Sequence, residues 1–211
     1  MTRGALVVST AGYLATLLLP LTAGWLAVAP AAVFSGQAWR LVTYPVVNAG
    51  ILSFLCGLLL LWSFGSEMEA RWGSRRFVLF LLSATVLAGF VGVLSAWLFP
   101  LSFFESGFGL APPLTALIVA WTLVGPRLPA NFFGVFPTTR LGFAAICLAL
   151  VVFSELEHTR SLSRLLFVLG GLPVAWLFER KGGPRFRVWR LRSPWSRRKF
   201  RVVSREDERV H

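Results

Sequence analysis

Long apolar runs recur along this chain, and no other feature narrows so far what it can fold into. About 20 apolar residues in a helix cross the roughly 30 Å hydrocarbon core of a bilayer. Inside lipid, only helices and closed barrels satisfy their own backbone. Six runs are read here, over residues 6–29, 46–64, 77–99, 112–124, 141–153 and 165–178. Only 14% of the residues are charged, against about 25% in an ordinary soluble domain. The expectation is an all-α polytopic membrane protein, with a six-helix bundle over residues 1–180 and a basic tail over 181–211. Run 6–29 is too long for a signal-peptide core and has no clear cleavage site, so it is expected to be retained.

Charge sets the expected orientation. Twelve of the 21 Lys and Arg residues lie in 180–211, Arg71, Arg75 and Arg76 follow the second run, and Arg127 and Arg140 follow the fourth. The alternate loops carry Glu105, then Glu155, Glu157, His158 and Arg160. Basic loops mark the cytoplasmic side. Six spans then put both termini in the cytoplasm, with the plasma (inner) membrane as the expected location. The tail interleaves arginines with Phe186, Trp189, Leu191, Trp195 and Phe200. Following directly on a span, it is expected on anionic headgroups rather than on nucleic acid. Cys56 and Cys147 both fall in apolar runs, with neither disulfide nor metal spacing. No metal or cofactor is expected.

Small residues identify the packing faces. Ala84, Ala88, Gly92 and Ala96 recur every fourth residue, and the last run holds Gly170-Gly171 with Ala175 four residues on. Residues four apart share a helix face, so such rows let helix backbones approach closely. Val168 immediately precedes the last-run glycines, at a place expected to be tightly buried. Residues 103–111, FFESGFGLA, are irregular and lead into Pro112-Pro113, which opens a run too short to cross a bilayer alone. That helix is expected to start within the membrane, fed by a dipping loop. Trp39, Arg40 and Tyr44 are expected as interfacial anchors. Glu69, between Gly65 and Gly73, is expected to structure a cytoplasmic turn with Arg71, Arg75, Arg76 or backbone N–H groups as partners.

From residue 35 to residue 180 the chain resembles the rhomboid superfamily of intramembrane serine proteases. GQAWRLVTYPVVNAG is similar to that family's first-loop signature, through Trp39-Arg40 and Thr43-Tyr44-Pro45. WSFGSEMEARWGSRRF matches its second-span ending, through Phe64-Gly65, Glu69, Gly73-Ser74 and Phe77. VLGGLPVA is similar to its last-helix His-Leu-Gly-Gly pattern, with Gly170 and Gly171 in place. The resemblance implies a six-helix fold in which a serine attacks a peptide carbonyl and a last-helix histidine takes its proton. It places that histidine at Val168 and the oxyanion-binding histidine and asparagine at Ser53 and Gly57. The histidine often found before them falls at Asn48. The serine falls at Gly109 if Gly107-Phe108-Gly109-Leu110 is aligned with Gly-x-Ser-Gly, or at Ser106 if only the Ser-Gly pair is aligned.

Either alignment leaves no base, because valine accepts no proton and the only histidines are His158 and His211. The expected function is an inactive rhomboid-like protein that binds other transmembrane segments. An active protease pairing Ser106 with His158 is the alternative. A transporter is disfavoured, because the spans as read lack the ionisable residues that transport paths use.

Overall fold

A computed structural model describes residues 2–48, 50–99, 106–125, 129–132, 136–159 and 162–180. The tail over 181–211, Glu105, Arg127 and the side chain of His158 lie outside the described residues. The described chain is helical apart from one hairpin. In order come α1 (Thr2–Leu18), α2 (Pro20–Leu26), α3 (Pro30–Phe34), α4 (Arg40–Thr43) and a 3-10 turn (Tyr44–Val46). Then follow α5 (Ile51–Trp72), α6 (Ser74–Leu98), α7 (Ala111–Val124), β1 (Pro129–Phe132) and β2 (Phe136–Thr139). The chain ends in α8 (Arg140–Thr159), α9 (Leu162–Leu169) and α10 (Leu172–Arg180). The strands pair antiparallel, Pro129 opposite Thr139.

Among the described residues, three helical stretches have the length and hydropathy to cross a membrane: Ile51–Trp72, Ser74–Ser95 and Leu162–Arg180. Ala111–Val124 and Arg140–Val151 are shorter apolar helices. Large apolar side chains cover the outside: Leu79, Leu82, Val86, Phe90 and Leu94 form one exposed face of α6. The same helix turns Ala84 and Ala88 inward with no exposed surface. Small residues inside and large apolar residues outside fit a bundle whose surroundings are as apolar as its interior. The chain is an integral membrane protein.

The packing centre is α7. Ten of its 14 residues are buried, as expected of a helix apolar on every side. At about 1.5 Å per residue it is about 21 Å long, well short of a bilayer core. Pro112 and Pro113 occupy its first turn, where a missing N–H breaks no helical bond.

Around α7 the small-residue faces meet as the spacing predicts. A Cβ on Gly170 would lie 2.8 Å from Val91 Cβ and 3.1 Å from Ala88 Cα. One on Gly171 would lie 3.2 Å from Ala116 Cβ and 3.4 Å from the Ala84 carbonyl oxygen. The glycine pair is thus the crossing point of α6, α7 and the last span, and the helix breaks there into α9 and α10.

Three expectations need correction. Run 6–29 is not one helix: the chain breaks at Leu19, where Pro20 starts α2, because proline lacks an N–H and clashes with the preceding turn. The segment after Phe64 is not yet a turn, since α5 continues to Trp72 and turns only at Gly73, whose φ of 81° suits glycine. In the first loop, Trp39 is exposed as an interfacial residue would be, but Arg40 and Tyr44 are buried.

Candidate functional site

The first loop fixes one wall of the site through its buried polar groups. Arg40 Nη1 donates to the Gly24 and Ala27 carbonyls, and its Nε donates to Gln37 Oε1. It thereby satisfies carbonyls left over at the end of α2. Tyr44 is fully buried, donates its hydroxyl to the Thr85 carbonyl at 3.1 Å and packs on the Phe167 ring at 5.0 Å. Its own carbonyl accepts from the Gly109 N–H at 3.2 Å. Val28 and Gly107 exchange both backbone hydrogen bonds, at 2.9 and 2.7 Å. The loop before α7 is therefore stitched to the first loop on both sides of Phe108.

Between α5 and α8 lies a cavity of about 640 Å³. Four positions singled out from the sequence line it together: Asn48, Ser53, Gly57 and Gly109. Gly109 has a φ of 103°, a conformation glycine adopts without strain. Gly57 is buried, and a Cβ there would lie 3.2 Å from Leu110 Cδ1. Ser53 is exposed. Of the two serine alignments, the one through Gly109 is the one whose residue shares this cavity with Ser53 and Gly57. Ser106 is exposed and lines a separate recess of about 30 Å³ with Ser95, Ser163 and Arg164.

Val168 is 2% exposed and packs with Val28, Tyr44, Val93 and Phe167. Its carbonyl accepts the Thr115 hydroxyl at 2.8 Å. Phe167, beside it in the chain, fills the space left by Gly92 and Gly107, each of which would carry a Cβ within 3.0 Å of the ring. Among the described residues, those lining the cavity include no histidine, aspartate, glutamate or lysine. The Thr115 hydroxyl is directed to the Pro112 and Val168 carbonyls. A hydroxyl becomes a nucleophile only with a base beside it, and the described lining supplies none.

Glu69 holds the end of the bundle at which α5 meets α6. Its carboxylate accepts from the Thr2 N–H at 2.7 Å, from the Thr2 hydroxyl at 2.6 Å and from the Ser74 hydroxyl. It thus ties α1 to the α5–α6 junction. Thr2 and Ser74 stand at helix starts on either side of it, which brings their donors to the carboxylate.

Two groups were not anticipated. Glu67 accepts from the Trp121 indole N–H at 2.6 Å and pairs with Arg140, whose guanidinium stacks over Trp121 at 4.5 Å. This clasp joins α5, α7 and α8 at the opposite end of the α5–α8 gap from Ser53. Arg164, half-buried with its guanidinium 5.1 Å from the Phe108 ring, lines both the large cavity and the small recess. Its spacing from Val168, one helical turn, was the available signal.

A family model described as Rhomboid domain matches residues 35–181, well over half of the chain. Among curated proteins, the chain is similar to "Rhomboid protease GluP" of Bacillus subtilis (strain 168), with 38% identity over 64 residues. That match covers 30% of this chain and 12% of the relative's length.

Proposed function

Because the chain belongs to the rhomboid family, we propose that it is a catalytically inactive member that holds other transmembrane segments without cutting them. The observation carrying this reading is Val168. The family's base position holds a valine packed into the core, and Gly109, which has no hydroxyl, occupies the cavity position aligned with the nucleophile. The binding half of the reading rests on the cavity between α5 and α8, whose walls are mostly apolar and therefore suited to a membrane segment. Both termini lie in the cytoplasm of a cell whose plasma (inner) membrane carries the protein, and the tail over 181–211 rests on anionic headgroups rather than nucleic acid.

The test is labelling of the purified full chain with a serine-directed fluorophosphonate, alongside incubation with transmembrane peptides. No labelling, with peptide retained intact, is the expected result. Labelling that disappears in both Ser106→Ala and His158→Ala would replace this reading with an active Ser106–His158 dyad.

A further inference from the structure

The cavity between α5 and α8 is closed at one end by a layer of side chains. Leu60, Ile118 and Cys147 line it from α5, α7 and α8. One helical turn further along the same three helices come Phe64, Trp121 and Phe143, with ring centroids 4.8, 5.6 and 6.2 Å apart. The Glu67–Trp121–Arg140 clasp belongs to this layer. The two oxygens of Glu67 serve different helices: Oε2 accepts the Trp121 indole N–H of α7 at 2.6 Å, and Oε1 pairs with Nη2 of Arg140 on α8. That pair uses one guanidinium nitrogen rather than a fork. The buried Nε of Arg140 meets no hydrogen-bond partner among the described residues, and Glu67 is 44% exposed. We propose that a client segment enters by exchange: its own Lys or Arg replaces Arg140 on Glu67, so the protein selects transmembrane segments with a basic residue at the depth of the clasp. This inference rests on the holding function proposed above.

A segment that crosses the bilayer between α5 and α8 has to part them along their length, and the Glu67–Arg140 pair bridges the two helices. Partly exposed pairs contribute about 0–1 kcal/mol, so the bond itself yields easily. The two charges then go separate ways. Glu67 stays with Trp121, because α7 is the buried centre of the bundle, while Arg140 leaves as the first residue of α8. The costly state is the carboxylate left unpaired, because Glu67 lies within a helix that crosses the membrane. A segment apolar at that depth would strand it; a segment with a basic residue gives it a new partner. On the topology proposed above, the clasp end faces the cytoplasm, the side on which membrane spans carry their basic flanks. The exchange therefore selects the client's orientation together with its charge.

The test offers two single-span peptides, alike except for a Lys or a Gln near one end, to the full chain in phosphatidylcholine nanodiscs. Wild type is expected to hold the Lys peptide about tenfold more tightly than the Gln peptide. Glu67→Gln keeps an acceptor for the Trp121 indole and should bind both peptides alike, with the affinity of wild type for the Gln peptide. Arg140→Gln removes the competing cation and should bind the Lys peptide more tightly than wild type does. A clasp that only props the bundle would change both affinities together in either variant, and that result would overturn the exchange. Equal binding of the two peptides by wild type, or a Lys preference that survives in Glu67→Gln, would also overturn it while leaving the holding function in place. Binding of neither peptide by wild type would remove the holding function, and this inference with it.

Discussion

The Thr115 hydroxyl donates to the Val168 carbonyl at 2.8 Å, across the buried contact between α7 and α9. A carbonyl near a helix end has few N–H partners of its own helix. Here the α-helix stops at Leu169, one residue beyond Val168, and resumes only at Leu172. Thr115→Val keeps the shape and removes the donor. Leaving a buried acceptor unpaired costs about 1–3 kcal/mol, so the melting temperature of the detergent-purified protein should fall. Thr115→Ser should recover most of the loss. An unchanged melt in Thr115→Val would show that the carbonyl has another partner.

The glycine pair makes a steric prediction. Gly170→Ala places a Cβ 3.1 Å from backbone at Ala88, and that neighbour cannot rotate away. Overpacking of this kind costs about 1–3 kcal/mol. Gly4→Ala, with nothing within 4 Å of its Cβ, is the matched control and should be neutral or better. Thermal unfolding of the two variants side by side decides the matter.

The carboxylate of Glu69 bridges α1 and Ser74 through three accepted hydrogen bonds. Glu69→Ala should reduce the yield of monodisperse protein and loosen α1, read as faster proteolysis near its start. Glu69→Gln keeps an acceptor oxygen and should fall between wild type and Ala. Equal yields for all three would remove Glu69 from the structural account.

Glu67 offers a contrast in the same helix. Its pairing with Arg140 lies partly in solvent, and such pairs are worth about 0–1 kcal/mol. Its bond from the Trp121 indole is the shape-specific part. Glu67→Gln should therefore be nearly as stable as wild type, while Glu67→Leu should be clearly less stable. Trp121 fluorescence is expected to shift in Glu67→Leu and to stay in place in Glu67→Gln.

The tail gives a prediction that does not depend on its conformation. A peptide of residues 181–211 should bind anionic liposomes and leave them as salt is raised. Equal binding to neutral liposomes would refute the electrostatic account.

Packing was legible in the sequence where it was periodic. Ala84, Ala88 and Gly92 announced their face by spacing alone, and the structure puts that face against Gly170 and Phe167. Gly109 was legible only as one of two alignments, because a glycine at an aligned serine position carries no chemistry of its own to recognise. Arg40 was misread as an interfacial anchor because two of its three partners are the Gly24 and Ala27 carbonyls, and backbone acceptors leave no trace in residue identity. The break at Leu19 was signalled by Pro20 but masked by unbroken hydrophobicity on both sides. The Glu67 clasp joins residues 54 and 73 positions apart, a separation at which sequence alone specifies no partner.

The shortness of α7 has a consequence for how the protein is made. A helix of 14 residues that packs against α5, α6, α8, α9 and α10 cannot settle when it leaves the insertion machinery. Its later neighbours are still unsynthesised, and it is too short to hold a place in lipid alone. A nascent chain interrupted before Leu162 would leave α7 with its α9 and α10 faces bare, including the Thr115 hydroxyl. Such a chain would expose polar and small-residue surface within the bilayer, which membrane quality-control proteases can engage. Completion of the last span is thus the event that turns a half-inserted intermediate into a durable protein.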